Sequence, residues 1–125
     1  PFKSVKNKRA LASLDNVVSF ICECVTNEKS KNELYLLADE VHPSTEEMIT
    51  AFSTGMGMKA RLVYFPKTIL KIFLSILGKK SIYDQLFGDL EVDSRKSREQ
   101  LQWTPPVSLQ ETMVKTAKYF IEGNK

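Results

Sequence analysis

Hydrophobic and polar positions along the chain alternate between short extended runs and amphipathic helices. A helix is predicted from Asp15 to about Val25, because apolar residues recur there every three or four positions and Asp15 is suited to cap the first turn. Two Ser-x-x-Glu capping boxes predict the starts of two more helices, at Ser44 and Ser108. A broad apolar face predicts a further helix at residues 68–77. Residues 81–87 are predicted to form one more helical turn, and residues 94–101 a basic helix.

The remaining apolar runs are too short for helices and predict extended structure. The run 33–38 has the composition of a buried strand, and 61–65 forms a second strand that ends at Pro66. Residues 9–14 and 90–92 are predicted to be short extended segments. Because helices outnumber strands and each strand precedes a helix, the predicted fold class is a small α/β domain. It has short strands, about five helices and a span of residues 1–125.

Composition places the chain among ordinary globular domains. It has 125 residues, of which 42% are hydrophobic and 26% charged, so it is long enough for one domain with its own core. The net charge of +3 is too small to indicate a nucleic-acid partner, and none is expected, although it is compatible with an anionic ligand. Two cysteines and one histidine argue against a disulfide scaffold and against a zinc site.

The beginning of the chain predicts a piece of a longer cytoplasmic protein. Pro1 is not preceded by Met, and no apolar signal peptide follows it. The longest apolar stretch, Ile69 to Leu77, is interrupted by Lys71 and Ser75 and is too short to span a bilayer. We therefore expect a cytoplasmic chain, and we interpret its function as that of a part.

Reactive side chains are few, and each has an ordinary structural interpretation. Cys22 and Cys24 lie two apart on a predicted helix, so they point to different sides and are expected to be small buried residues. His42 is expected on the surface, and the acidic pairs 39–40 and 46–47 are explained by loop solvation and helix capping. The sequence has no glycine-rich phosphate loop, nucleophile elbow or metal-ligand pair, so we expect no catalytic residue and no metal site.

The first residues have the chemistry of a nucleotide-binding segment. An arginine binds a diphosphate bidentately, an amide reads a base or ribose edge, and a ring stacks on a base; Arg9, Asn7 and Phe2 supply these groups. Lys3, Lys6 and Lys8 add positive charge. The alternative is a solvated, frayed terminus, and composition alone favours that alternative.

Residues 67–80 are basic on one side of a helix and apolar on the other. This pattern is typical of a membrane-surface helix, and it also suits a helix that packs on a core. We favour packing, because the domain's own sheet is the obvious partner for the apolar stripe. A membrane partner is therefore not expected.

Three stretches together resemble the extended short-chain dehydrogenase/reductases. The first, residues 2–18, has an aromatic residue, a loop and an Arg before a helix that starts with Asp-Asn. The second, residues 35–48, has a strand, a loop and a capped helix. The third, residues 90–111, has an Asp-x-x-Lys helix followed by a Leu-x-Trp-x-Pro turn. The likeness covers essentially the whole chain. It is strongest to the nucleotide-sugar epimerase/dehydratase group, in particular bacterial UDP-glucose or UDP-N-acetylglucosamine 4-epimerase-like proteins of surface-polysaccharide synthesis.

The resemblance implies that this chain is the small C-terminal substrate-binding lobe of such an enzyme. An N-terminal Rossmann domain, absent from this chain, would bind NAD, carry the Tyr-x-x-x-Lys pair and oxidise the sugar at C4. No tyrosine here has a lysine four positions later, so the chain alone is expected to be inactive. The family pattern places Arg9 on the diphosphate or ribose, Phe2 beside the base and Asn7 near the nucleotide. The implied partners are the nucleotide sugar and the Rossmann domain, and homodimerisation of the parent protein stays open.

The sequence also departs from the family pattern. Many epimerases have a second diphosphate-binding arginine before the segment at Leu90, and residues 83–86 contain none. Either a lysine such as Lys79 or Lys80 replaces it, or the affinity or the substrate differs. Gln102 stands where the family has glycine, and Trp103 is expected to anchor the last helix. Two alternatives therefore stay open: a non-catalytic interaction or membrane-surface module of the same superfamily, and a steroid- or lipid-type dehydrogenase.

Overall fold

Helices form nearly all the regular structure of the chain. The computed structural model describes residues 3, 5–64, 66–78 and 80–123. In these ranges the helices are α1 (Leu14–Thr26), α2 (Thr45–Gly55), α3 (Lys67–Ile76), α4 (Lys80–Phe87), α5 (Arg95–Leu101) and α6 (Leu109–Gly123), with a 3₁₀ turn at Glu28–Ser30. Every segment predicted to be helical is helical, and the single turn predicted at 81–87 is the complete helix α4.

Side-chain caps fix the starts of the three longest helices. Both predicted capping boxes are confirmed, because Ser44 and Glu47 bond reciprocally at α2 and Ser108 and Glu111 do so at α6. The predicted cap at Asp15 is wrong. Ser13 is the cap of α1, and its hydroxyl accepts the Asn16 N–H at 3.4 Å. The capping residue thus lies two positions before the predicted one. Asp15 lies in the first turn, where its negative charge interacts favourably with the helix dipole.

The predicted short strands are not present in the described residues. Two isolated parallel bridges, Lys3 with Tyr64 and Arg9 with Leu90, take their place. A strand needs a neighbour that pairs with it along several consecutive residues, and the pairing found in the described residues is limited to these isolated bridges. The part of the fold class that concerned short strands is therefore corrected.

The segment 33–38 illustrates the reason. Its side chains alternate as in a strand: Tyr35 and Leu37 pack against a buried cluster, whereas Leu34 and Leu36 are exposed. The prediction of a buried strand is therefore wrong, because only one side of the segment is covered. Without a neighbouring strand in the described residues, the segment remains extended and unpaired.

One extended segment, residues 8–11, bonds through its backbone to two distant loops of the chain. Leu90 donates to Lys8, and Ala10 donates back to Leu90 at 2.6 Å. On the other side Arg9 donates to Pro43 at 3.0 Å, and Leu11 accepts from Asp39 at 2.7 Å. We call residues 8–11 the central segment. Because it holds these loops together, it fixes where the predicted site residues lie.

Two apolar clusters flank the central segment. The first contains Phe20, Leu101 and Trp103, with Phe20 edge-on to the Trp103 ring at 5.1 Å between centroids. The indole N–H of Trp103 donates to Ser19 at 3.1 Å. Trp103 therefore anchors the end of α5 to α1, not the last helix as predicted. The second cluster joins α2 to α6 through Ala51, Leu109 and Met113.

Helices α3 and α4 pack against each other and leave an apolar face of α3 open. On α4, Tyr83 and Phe87 stack at 4.6 Å between ring centroids, and the Lys71 ammonium lies 5.9 Å from the Tyr83 centroid. Ile69, Phe73 and Ile76 of α3 are all more than half exposed. The sheet that was expected to cover this face is not found in the described residues.

Candidate functional site

The backbone of Arg9 is held by hydrogen bonds, and its side chain has no partner among the described residues. Its N–H donates to Pro43, and the residues on either side of it bond to Leu90. Among the described residues, no acceptor lies within hydrogen-bond or ion-pair distance of its guanidinium. A half-buried arginine held by its backbone, with five free donors, is chemically suited to bind an anion bidentately.

Asn7 is a buried connector, 4% exposed. Its side-chain oxygen accepts from the backbone N–H and the hydroxyl of Thr45, at 3.0 and 2.9 Å, at the start of α2. Its side-chain nitrogen donates to the Gly88 carbonyl at 3.3 Å. The amide thus links the start of α2 to the segment after α4, one residue position from the central segment.

The other predicted binding residues are not all described. Phe2 lies outside the described residues, as does Lys79, one of the two lysines considered as a replacement for the second arginine. Lys80 begins α4. Of the predicted binding set, the structure therefore brings together Asn7 and Arg9, which lie two residues apart in one extended segment.

A charged cluster lies beside Arg9. Glu91 accepts from the Lys8 ammonium at 3.4 Å, and the His42 Nδ1 atom is 3.8 Å from the same carboxylate oxygen. Asp89 accepts the Lys8 N–H at 2.8 Å. His42 is not on the open surface as predicted, because its side chain is only 16% exposed. These contacts neutralise Lys8 and leave Arg9 as the cation of the central segment without an acidic partner in the described residues.

The sequence analysis missed a buried polar cluster next to this region. Asn16 is fully buried, and its side-chain nitrogen donates to Asp39 at 2.8 Å and to the Val107 carbonyl at 2.9 Å. Its side-chain oxygen accepts the Val107 N–H at 3.1 Å, and Asp39 also accepts the Ser13 N–H at 3.0 Å. Asp39 is therefore not a solvated loop residue.

One signal could have revealed this cluster. Asparagine is unfavourable inside helices because it competes for backbone hydrogen bonds, so Asn16 in the first turns of α1 indicates a tertiary partner. We call Ser13, Asn16, Asp39 and Val107 the polar clasp. It ties the start of α1 to the loops before α2 and α6, and all its groups are used internally.

Open depressions of the surface lie elsewhere. One runs along α6 and includes Lys115 and Tyr119, and another is formed by α5 residues with Asp93. In the second, the Arg95 guanidinium donates to Asp93 at 2.7 Å and lowers the pKa of that carboxyl to about 2. Neither depression includes Arg9 or Asn7, and the Arg95–Asp93 pair is solvent-exposed. We assign them no function.

The described residues contain no cluster of three histidine, cysteine or acidic side chains able to hold a metal ion. No helix among them has the length and hydrophobicity needed to cross a bilayer. Cys22 is exposed and Cys24 partly buried; both are free, and burial raises the pKa of the Cys24 thiol, with the Glu23 charge adding to the effect.

The residues of this chain do not fit an NAD site. Dinucleotide sites of the Rossmann type need a strand, a glycine-rich turn and a helix whose first N–H groups face the phosphates. The sequence has no such glycine pattern, and the described residues have no strand before a helix. NAD chemistry is therefore not assigned to any group of this chain.

Comparison with known proteins relates the chain to nucleotide-sugar epimerases. No family model matches it, and no solved structure matches it. A match was found among curated proteins, and it confirms the resemblance inferred from the sequence motifs.

That relative is the UDP-glucose 4-epimerase of Vibrio cholerae. It is 35% identical to this chain over 125 residues, which is 99% of the chain. The chain spans only 38% of the length of the relative.

Proposed function

We propose that this chain is the substrate-binding lobe of an NAD-dependent nucleotide-sugar epimerase or dehydratase. The observation that carries the proposal is its similarity to UDP-glucose 4-epimerase along 99% of its own length but 38% of the relative's. A similarity of that kind is expected for one lobe of a two-lobed enzyme. The cofactor-binding part and the reacting tyrosine would then belong to a different part of the protein.

The geometry around Arg9 supports a diphosphate as the bound group. The central segment fixes the Arg9 backbone on both sides, and the neighbouring cation Lys8 is already paired with Glu91. A guanidinium without an internal acidic partner retains its full attraction for an anion. Because its fork matches two phosphate oxygens, it can hold a diphosphate in one orientation.

Asn7 and Phe2 complete the proposed binding set. Asn7 contributes through position, since its bonds to Thr45 and Gly88 hold the segment that carries Arg9. Contact between its amide and a nucleotide would require the exchange of one of these bonds. Phe2 is proposed beside the base because of its place in the sequence pattern.

The role proposed for this lobe is to hold a part of the substrate that does not react. Binding energy from a remote nucleoside diphosphate positions the sugar for chemistry elsewhere, and so lowers the entropic cost of reaction. Loss of this handle should therefore weaken binding much more than it alters any proton or hydride transfer.

A binding experiment on the intact protein tests the proposal. We expect Arg9→Gln to weaken UDP binding at least about tenfold, because a hydrogen bond to a charged group contributes roughly 1.5–3 kcal/mol. Uridine, which lacks phosphates, should bind both proteins equally. Lys6→Gln is the matched control, since it removes one exposed cation from the same segment without touching Arg9. Calorimetry gives the UDP affinities and ligand-observed NMR those of uridine.

Kinetics with a UDP-hexose should separate an effect on binding from an effect on the chemical step. We expect Arg9→Gln to raise KM far more than it lowers kcat. Equal losses for Arg9→Gln and Lys6→Gln would mean that general charge, and not Arg9, attracts the nucleotide. Failure of the unmodified protein to bind UDP would overturn the proposed substrate class.

A further inference from the structure

Helix α3 presents an unpartnered apolar stripe. Ile69, Ile72, Phe73 and Ile76 follow the i, i+3, i+4, i+7 spacing of one helical face, and their exposed fractions range from 54% to 78%. The loop before the helix also exposes apolar side chains, those of Met58, Val63 and Tyr64. We call these residues, with Arg61, the α3 surface.

The segment that contains the α3 surface carries charge of one sign along the sequence up to Asp84. Between residues 58 and 83 the sequence contains six cationic residues and no Asp or Glu. The cationic residues are Lys59, Arg61, Lys67, Lys71, Lys79 and Lys80. Lys59 and Arg61 are exposed in the loop before α3, and no described residue pairs with either side chain. The local charge is thus far more positive than the +3 of the whole chain suggests.

A second apolar stripe in the same molecule shows that this charge is not a general property of its open surfaces. Leu14, Val18, Ile21 and Val25 form an exposed stripe on α1. Residues 10–28 around that stripe contain no Lys or Arg, and they include Asp15, Glu23 and Glu28. Lys115 of α6 pairs with Asp15 at 2.9 Å, which leaves Glu23 and Glu28 as acidic neighbours of the stripe in the sequence. Anionic lipids should therefore attract the α3 surface more strongly than the α1 stripe, although the two are similar in apolar character.

We propose that the α3 surface docks on an anionic lipid bilayer, with α3 lying in the plane of the interface. A short helix with an apolar face and cationic surroundings embeds that face at the boundary of headgroups and acyl chains, while lysines and arginines remain among the headgroups. Tyr64 suits the same depth, because an aromatic ring with a polar tip favours the interface. This proposal is independent of nucleotide binding, so either can fail without the other.

Vesicle flotation of the intact protein tests the proposal. We expect binding to vesicles made of equal parts phosphatidylcholine and phosphatidylglycerol, loss of that binding at high salt, and little binding to phosphatidylcholine alone. Ile76→Glu should abolish the binding. The matched control is Val25→Glu on α1, because Val25 and Ile76 are 81% and 78% exposed, so the two changes carry the same risk to folding.

Charge can be tested separately from apolar contact. Arg61→Gln should weaken binding to the anionic vesicles about fivefold, whereas Lys31→Gln, which removes an exposed cation near the 3₁₀ turn, should leave it unchanged. Circular dichroism and thermal melts verify that each variant is folded.

Three results would overturn the proposal. The first is no binding of the folded, unmodified protein to anionic vesicles at low salt. The second is equal loss of binding in Ile76→Glu and Val25→Glu, which would show that the α3 surface is not specific. The third is an oligomer that Ile76→Glu dissociates while the unmodified protein ignores vesicles, because a protein partner would then cover the stripe.

Discussion

At the scale of single residues, Asn16 shows how one buried amide organises its surroundings. Its side chain donates twice and accepts once, which matches the groups that Asp39 and Val107 present. No buried side-chain polar atom in the described residues lacks a partner. Because an amide can donate and accept at once, no other residue of similar shape satisfies all three contacts. The identity of this residue therefore matters more than its helix propensity.

Replacing Asn16 by Asp tests this argument with a minimal change of shape. We expect Asn16→Asp to lower the free energy of unfolding by about 3 kcal/mol, since a carboxylate would face both Asp39 and a carbonyl without a proton to donate. The loss should shrink in mildly acidic buffer, where a proton restores one donor. Urea denaturation measures both effects, with Gln110→Glu on exposed α6 as a control for charge. An equal loss at neutral and acidic pH would contradict the electrostatic part of the argument.

At the scale of elements, α2 and α6 approach each other closely at Gly55. A Cβ atom built on Gly55 would lie 2.6 Å from the Val114 carbonyl oxygen and 2.7 Å from the Ala117 Cβ. Both contacts are too short for a real side chain, and one of them is with backbone. Glycine is therefore needed here for packing, not for an unusual backbone angle. Capping boxes determine where α2 and α6 begin, and the contact of Gly55 with Val114 and Ala117 determines the distance between the two helices.

The Gly55→Ala variant should consequently be destabilised, even though alanine is the better helix former. We expect a loss of about 1–3 kcal/mol from overpacking, which exceeds the gain of about 1 kcal/mol in helix propensity. Gly123→Ala is the matched control, because Gly123 is also helical and has nothing within 4 Å of an added Cβ. It should be neutral or slightly stabilised in thermal melts. Similar stability changes in the two variants would refute the close approach of α2 and α6.

At the scale of the whole molecule, the central segment connects separate loops by backbone hydrogen bonds, as a β-sheet does in a larger α/β domain. It joins the loops before α2 and α5 through two backbone hydrogen bonds to each loop, while the two apolar clusters lie on α1 with α5 and on α2 with α6. Arg9 belongs to this segment. The position of the proposed binding residue therefore depends on the global fold and not on a separate loop.

Amide hydrogen exchange should report this arrangement. The N–H groups of Arg9, Ala10, Asp39 and Leu90 are expected to exchange only through global unfolding, because each bonds across the centre of the molecule. The N–H of Lys3, whose bond to Val63 is 3.4 Å long, should exchange much faster by local opening. Rapid exchange at Ala10 and Leu90 would show that the central segment opens independently.

The sequence by itself determined where the helices lie and to which proteins the chain is related. Ser44 and Ser108 each cap a helix through a residue three positions later, so this information is local and can be read from the chain. The similarity to nucleotide-sugar epimerases also appears as contiguous motifs. The cap at Ser13 was missed because Asp15, two residues later, is an equally good capping residue by type.

Only the tertiary structure decided what the extended runs and polar residues do. Residues 33–38 have the alternation of a strand, yet whether a strand forms depends on a neighbour that lies elsewhere in the chain. Asp39 and Asn16 are 23 residues apart, and nothing local pairs them. The sequence of the apolar stripe on α3 has the same helical spacing whether the stripe is covered by other residues or exposed to solvent. Its exposure depends on which other surfaces reach it, because burial is a property of the packed molecule and not of the helix alone.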